Sequence, residues 1–137
     1  MFRMTSEPEK SLDQVLREDH RFPPEAYAFL REGLSRAVKD TYGEEAQKSP
    51  PPGQRHVSGQ QLCRSLRDLA VERWGQLAKT VLGRWNIHAS VDFGEMVYLM
   101  IRHGFMKKTE EDSLEDFRNV YDFQEAFRLQ DEFELKE

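Results

Sequence analysis

The run Val57-Ser58-Gly59-Gln60-Gln61-Leu62 constrains the fold most strongly, because it fixes where a helix begins. Ser58 and Gln61 have the spacing of a capping box, and Val57 and Leu62 stand at the two positions of a hydrophobic staple. The helix that starts there shows Leu62, Leu66, Leu69 and Ala70 to a core and stops near Gly75. A second helix follows at once, with Leu77, Ala78, Val81, Leu82 and Trp85 facing inward and Asn86 as its C-terminal turn residue. Asp92 and Glu95 have the spacing of a second capping box, with Val91 and Met96 as its staple. From Phe93 to about His103 the next helix is apolar over Met96, Val97, Leu99, Met100 and Ile101, which is most of its circumference. It is therefore expected to be the central buried helix, ended by Gly104.

Upstream, Leu12, Val15 and Leu16 share one face of a short helix over Ser11 to Asp19, which Arg21-Phe22-Pro23-Pro24 breaks. A longer helix over Pro24 to Thr41 carries Ala26, Tyr27, Leu30, Leu34, Ala37, Val38 and Thr41 as its stripe, with Gly43 as its stop. Gly33 inside it costs about 1 kcal/mol relative to alanine. A close helix crossing accounts for it best, and a kink is the alternative. Gly43 to Arg55 contains Pro50-Pro51-Pro52 and reads as a semi-rigid linker or surface loop, with a docking strip for an aromatic groove as the weaker option. Ile87 to Ala89 is either loop or brief strand. Phe105 and Met106 lead into Lys107-Lys108 as a short strand, and Thr109/Asp112 and Asp122/Glu125 have cap spacing for two further short helices.

The expected fold is mainly α: a compact single-domain bundle of six or seven helices over residues 1–137. There is room for one short β-hairpin, and a winged-helix-like arrangement is compatible. An N-terminal helical pair (1–42), a Pro-rich linker or loop (43–55), a main helical core (56–129) and a polar tail (130–137) divide it. Hydrophobic content is low at 38%, yet 9 Phe, 4 Tyr and 2 Trp raise the apolar area per buried side chain. No apolar run resembles a signal-peptide core or approaches the roughly 20 residues of a membrane span. Cys63 is the single cysteine, so no intramolecular disulfide forms. Cytoplasmic localisation without membrane association is the expectation.

HVSGQQLCRSLRDLAVERWG, AKTVLGRWNI, DFGEMVYLMIRHGF, KTEEDSLEDF and YDFQEAF, in that order, resemble an uncharacterised family of small bacterial proteins described as restricted to planctomycetes and verrucomicrobia. SLDQVLRED and PPEAYAFLREGL are compatible with it. The resemblance implies one compact domain in the bacterial cytoplasm, and it carries over no activity, cofactor or site residue.

Charge is divided unevenly along the chain. Residues 1–53 hold 8 Lys/Arg against 10 Asp/Glu (−2), residues 54–108 hold 9 against 4 (+5), and residues 109–137 hold 3 against 11 (−8). Arg64, Arg67, Arg73, Lys79, Arg84, Lys107 and Lys108 form a candidate anion or nucleic-acid face. Glu110, Glu111, Asp112, Glu115 and Asp116 are candidates to shield it. An acidic pI of about 5.5 and the absence of an RNA-type aromatic motif weigh against nucleic acid, as does the length of the Ser58 helix for a helix-turn-helix unit.

His20, His56, His88 and His103 lack ligand spacing, and Cys63 has no cysteine partner, so no metal site is expected. No catalytic constellation, phosphate cradle or cofactor motif emerges, and a non-enzymatic role is expected. Trp74, beside Gly75 and arginine-flanked, is the best candidate for an exposed protein-interface anchor, whereas Trp85 and Phe93 suit the core. A regulatory or protein-interaction module of unknown partner is the leading reading, and nucleic-acid binding by the basic face is the alternative.

Overall fold

The computed structural model describes residues 2–4, 21–43, 57–108 and 112–127. Helices dominate, in the order α1 (Pro24–Tyr42), α2 (Gly59–Trp74), α3 (Ala78–Arg84), α4 (Ser90–Arg102) and α5 (Phe123–Ala126). Two strands, β1 (Arg3–Met4) and β2 (Met106–Lys107), and two 3₁₀ turns, Gly75–Leu77 and Leu114–Phe117, complete the described elements. Among the described residues four helices reach seven residues or more, fewer than the six or seven expected, and α5 is a single turn. The expected helix over 11–19, the Pro50–Pro52 loop and the polar tail lie outside the described residues.

Helix α1 begins with proline in its first turn, whose missing N–H costs nothing there. It ends at Gly43, which takes φ 92° and donates its N–H to the Lys39 carbonyl at 2.8 Å. It crosses α2 closely at Gly33: a Cβ there would stand 2.7 Å from Leu66 Cγ and closer still to Cδ2. That approach, and not a kink, explains a glycine in mid-helix.

The capping box of α2 forms as the spacing predicts. Ser58 Oγ accepts the Gln61 N–H at 3.0 Å, and Gln61 Oε1 accepts the Ser58 N–H at 2.8 Å. The staple residues Val57 and Leu62 are both fully buried.

Three local expectations need correction. Asp92 is not an N-cap: α4 starts at Ser90, and the Asp92 carboxylate sits inside the first turn, accepting the His88 and Ala89 N–H groups at 2.7 and 3.1 Å. Glu95 pairs instead with Arg21, which also contacts Asp92 at 3.2 Å. Downstream, the expected cap residue Thr109 lies outside the described residues; the described box is Ser113/Asp116, and the element is a 3₁₀ turn, with Asp116 accepting the Ser113 N–H at 3.0 Å.

Among the described residues no hairpin follows Phe105. Strand β2 pairs antiparallel with β1 in the register Arg3↔Lys107 and Met4↔Met106, across nearly the whole sequence. Phe2 bridges Val57 through N–H···O bonds of 2.9 and 3.2 Å, so a wing of the winged-helix kind is absent among the described residues.

Helix α4 lies at the centre as expected, burying Phe93, Met96, Val97 and Met100. Phe117 seats over Gly94, where a Cβ would meet its ring at 2.6 Å, and stacks at 5.1 Å from Phe2. Ser90 Oγ donates to the Phe117 carbonyl at 2.6 Å and accepts the Val120 N–H at 3.2 Å, fastening the C-terminal segment to α4.

Candidate interaction surface

The segment Arg73-Trp74-Gly75-Gln76-Leu77 is where local geometry departs most from helical periodicity. Gly75 takes φ 54°, α2 ends, and the Gly75–Leu77 turn winds at three residues per turn before α3 resumes. The change of pitch rotates Leu77 out of the inner face that an unbroken 3.6-residue period assigns to it. Leu77 is 60% exposed, and the inward work is done by Ala78 and Leu82, both fully buried.

Leu77 closes the 3₁₀ turn, Val81 lies in α3 and Trp85 caps its C-terminal end; at spacings i, i+4 and i+8, with Arg84 at i+7, they line one side of this helical stretch. Val81 and Trp85 are half-buried and Arg84 is exposed. Trp74 borders this side. It is half-buried, and thus not the freely exposed anchor expected, because its ring packs 5.1 Å from Phe29 and 5.3 Å, edge-on, from Trp85. The Arg73 guanidinium lies 5.8 Å above the Trp74 ring and pairs with Glu32 of α1. Phe29 continues the aromatic array inward to Phe93 at 6.5 Å, and Phe93 to Phe123 at 6.1 Å. The outer indoles thereby rest on a buried aromatic array.

A cavity of about 540 Å³ opens beside the same turn, lined by Gln76, Lys79, Thr80, Asp122, Glu125 and Phe127. Two further open cavities, of about 390 and 490 Å³, lie by the start of α4 (His88, Ser90, Arg118, Asn119) and along the α1–α2 crossing (Arg36, Asp40, Arg64, Asp68).

The seven basic candidates are spread over α2, α3 and the end of β2, and several sit among carboxylates. Arg64 shares a cavity with Asp40 and Asp68, Lys79 shares one with Asp122 and Glu125, and Arg73 holds Glu32. Arg67 is half-buried, with its Nε buried and unbonded. Lys108 Nζ donates to the Asp112 carbonyl at 3.4 Å, and Lys107 is exposed on β2. Of the acidic shield, Glu110 and Glu111 lie outside the described residues, Asp112 is buried, Glu115 pairs with Arg118 at 2.7 Å, and Asp116 is engaged by Ser113.

Arg36 bridges α1 to Glu72 of α2 through a two-pronged contact, which raises the Arg36 pKa and lowers that of Glu72. Cys63 is fully buried, and burial pushes its thiol well up, against a small opposing pull from Arg64. Its carbonyl accepts the Tyr121 hydroxyl at 2.8 Å, and burial raises that phenol well above its ordinary value. Among the described residues, no three His, Cys, Asp or Glu side chains gather as a metal ligand set, and no helix is long and apolar enough to cross a membrane. His20 and His56 lie outside the described residues.

Comparison of the chain with protein-family models, curated proteins and solved structures finds no match.

Proposed function

We propose that this protein is a non-enzymatic interaction module that docks a protein partner on the side of α3 carrying Leu77, Val81 and Trp85, with Trp74 at its edge. The observation that supports it is the 60% exposure of Leu77 near two half-buried tryptophans packed edge-on against each other. Tyr42, at 40%, is the other large apolar side chain exposed among the described residues, and it stands at the end of α1. Aromatic anchors with arginine at the margin are what protein interfaces enrich, and a prebuilt indole pair loses little entropy on binding. The family resemblance adds a bacterial setting to this proposal without adding chemistry.

The test is affinity capture of the tagged protein from its native lysate, with and without nuclease, comparing wild type with Leu77→Asp. A nuclease-resistant partner held by wild type and lost by Leu77→Asp supports docking on α3. Partners unaffected by Leu77→Asp reject it. Nucleic-acid binding is the second reading, favoured by the exposure of Arg64, Arg73, Lys79, Arg84, Lys107 and Lys108. It gains the lead if captured partners disappear with nuclease and generic DNA binding falls steeply with salt.

A further inference from the structure

Resting on that docking reading, we infer that the occupant of the α3 face is an acidic amphipathic helix, with leucine- or phenylalanine-type anchors and a carboxylate placed against Arg84. The apolar side is narrow. From Leu77 to Trp85 it runs about 12 Å at about 1.5 Å per residue, the length of two helical turns of a partner. It suits the helix-in-groove mode, in which anchors at i, i+3 or i+4, and i+7 fill such a stripe.

Charge selects the sign of the partner. Residues 73–85 contain Arg73, Lys79 and Arg84 and no carboxylate. Glu32 meets Arg73, yet the Arg73 side chain remains 41% exposed, and Asp122 and Glu125 share the cavity of Lys79. Arg84 follows Val81 by three residues on the same side of the helical stretch, it is exposed, and it has no ion pair among the described residues. A basic helix laid on this stripe would meet Arg84 with like charge; an acidic one completes it.

Fluorescence anisotropy with two labelled synthetic peptides tests this. Both carry the same leucine and phenylalanine anchors, one with glutamate and one with lysine at the flanking positions. They are titrated against wild type, Leu77→Asp and Arg84→Glu, each variant first shown to be folded by circular dichroism. The expected result is a preference of wild type for the glutamate peptide of about fivefold or more at low salt, shrinking as salt rises. Arg84→Glu should abolish or invert that preference, and Leu77→Asp should lose both peptides.

Equal binding of the two peptides, or preference for lysine, overturns the acidic-partner inference and leaves docking on α3 standing. Binding of neither overturns the inference as well, and docking on α3 is then decided by the Leu77→Asp capture. A dimer in sedimentation velocity that Leu77→Asp dissociates would make a second copy the occupant and overturn it equally.

Discussion

Gly33→Ala is the sharpest test of how α1 meets α2. In a solvent-exposed helix the change would stabilise by about 1 kcal/mol, since glycine is the poorer helix former. Here the new methyl would stand 2.7 Å from Leu66 Cγ and nearer still to Cδ2, and Leu66 is fully buried. Rotating the terminal methyls does not relieve a clash with Cγ, so either Leu66 leaves its rotamer within the packed core or the helices move apart. Overpacking of this kind costs about 1–3 kcal/mol, and net destabilisation of up to about 2 kcal/mol is expected once the helical gain is deducted.

The same geometry predicts a reversal of sign. Leu66→Ala alone should cost about 2–5 kcal/mol, but adding Gly33→Ala to it should then stabilise, because the methyl enters vacated space while the helical gain remains. Urea unfolding followed by the fluorescence of Trp74 and Trp85 reads all four corners of the cycle. Stabilisation by Gly33→Ala in the wild-type background, or strict additivity with Leu66→Ala, would refute the close crossing.

Ser58→Ala should lower stability by about 1 kcal/mol in the same assay, through loss of the 3.0 Å bond to the Gln61 N–H. Trp74→Ala should cost about 3 kcal/mol by removing its contacts with Phe29 and Trp85, whereas Leu77→Asp should stay within about 0.5 kcal/mol of wild type. Tyr121 should resist ionisation: with its folded pKa raised above the ordinary 10, it contributes stability that is complete below pH 10 and lost as pH climbs through the folded value. An alkaline unfolding limb weakened in Tyr121→Phe, together with late tyrosinate absorbance in wild type, would verify this. Identical alkaline profiles would refute it.

The features legible in the sequence are those set by local chemistry. Ser58 and Gln61 cap each other over three residues, Asn86 turns the chain at φ 66° and Gly104 at φ 85°, and the apolar circumference of residues 93–103 marks the buried helix. Features set by distant partners are not legible. Phe2 is a lone aromatic in a polar N-terminal stretch, and its complete burial depends on Tyr98, Val57 and Phe117.

Asp92 shows a third kind of ambiguity, because an acid just inside a helix and an acid at its cap have nearly the same sequence signature. The exposure of Leu77 is hidden in the sequence for a related reason. Periodicity carries Leu77 inward if α3 begins directly after Gly75, and only the tighter 3₁₀ turn brings it out. Glycine followed by two unconstrained residues is a weak signal for that turn. Trp74 is visible as a candidate anchor through its arginine neighbour, but its packing on Phe29 joins residues 45 positions apart and leaves no local mark.

Hydrogen-exchange or hydroxyl-radical footprinting of the captured complex would test docking on α3 most directly, by comparing protection in the free and bound protein. Protection should concentrate on residues 74–85, strongest around Leu77, Val81 and Trp85, with α2 around Arg64 and β2 around Lys107 unchanged. Protection centred on Arg64, Lys107 and Lys108, with Leu77 still open to solvent, would contradict docking there and place the partner on the basic residues instead.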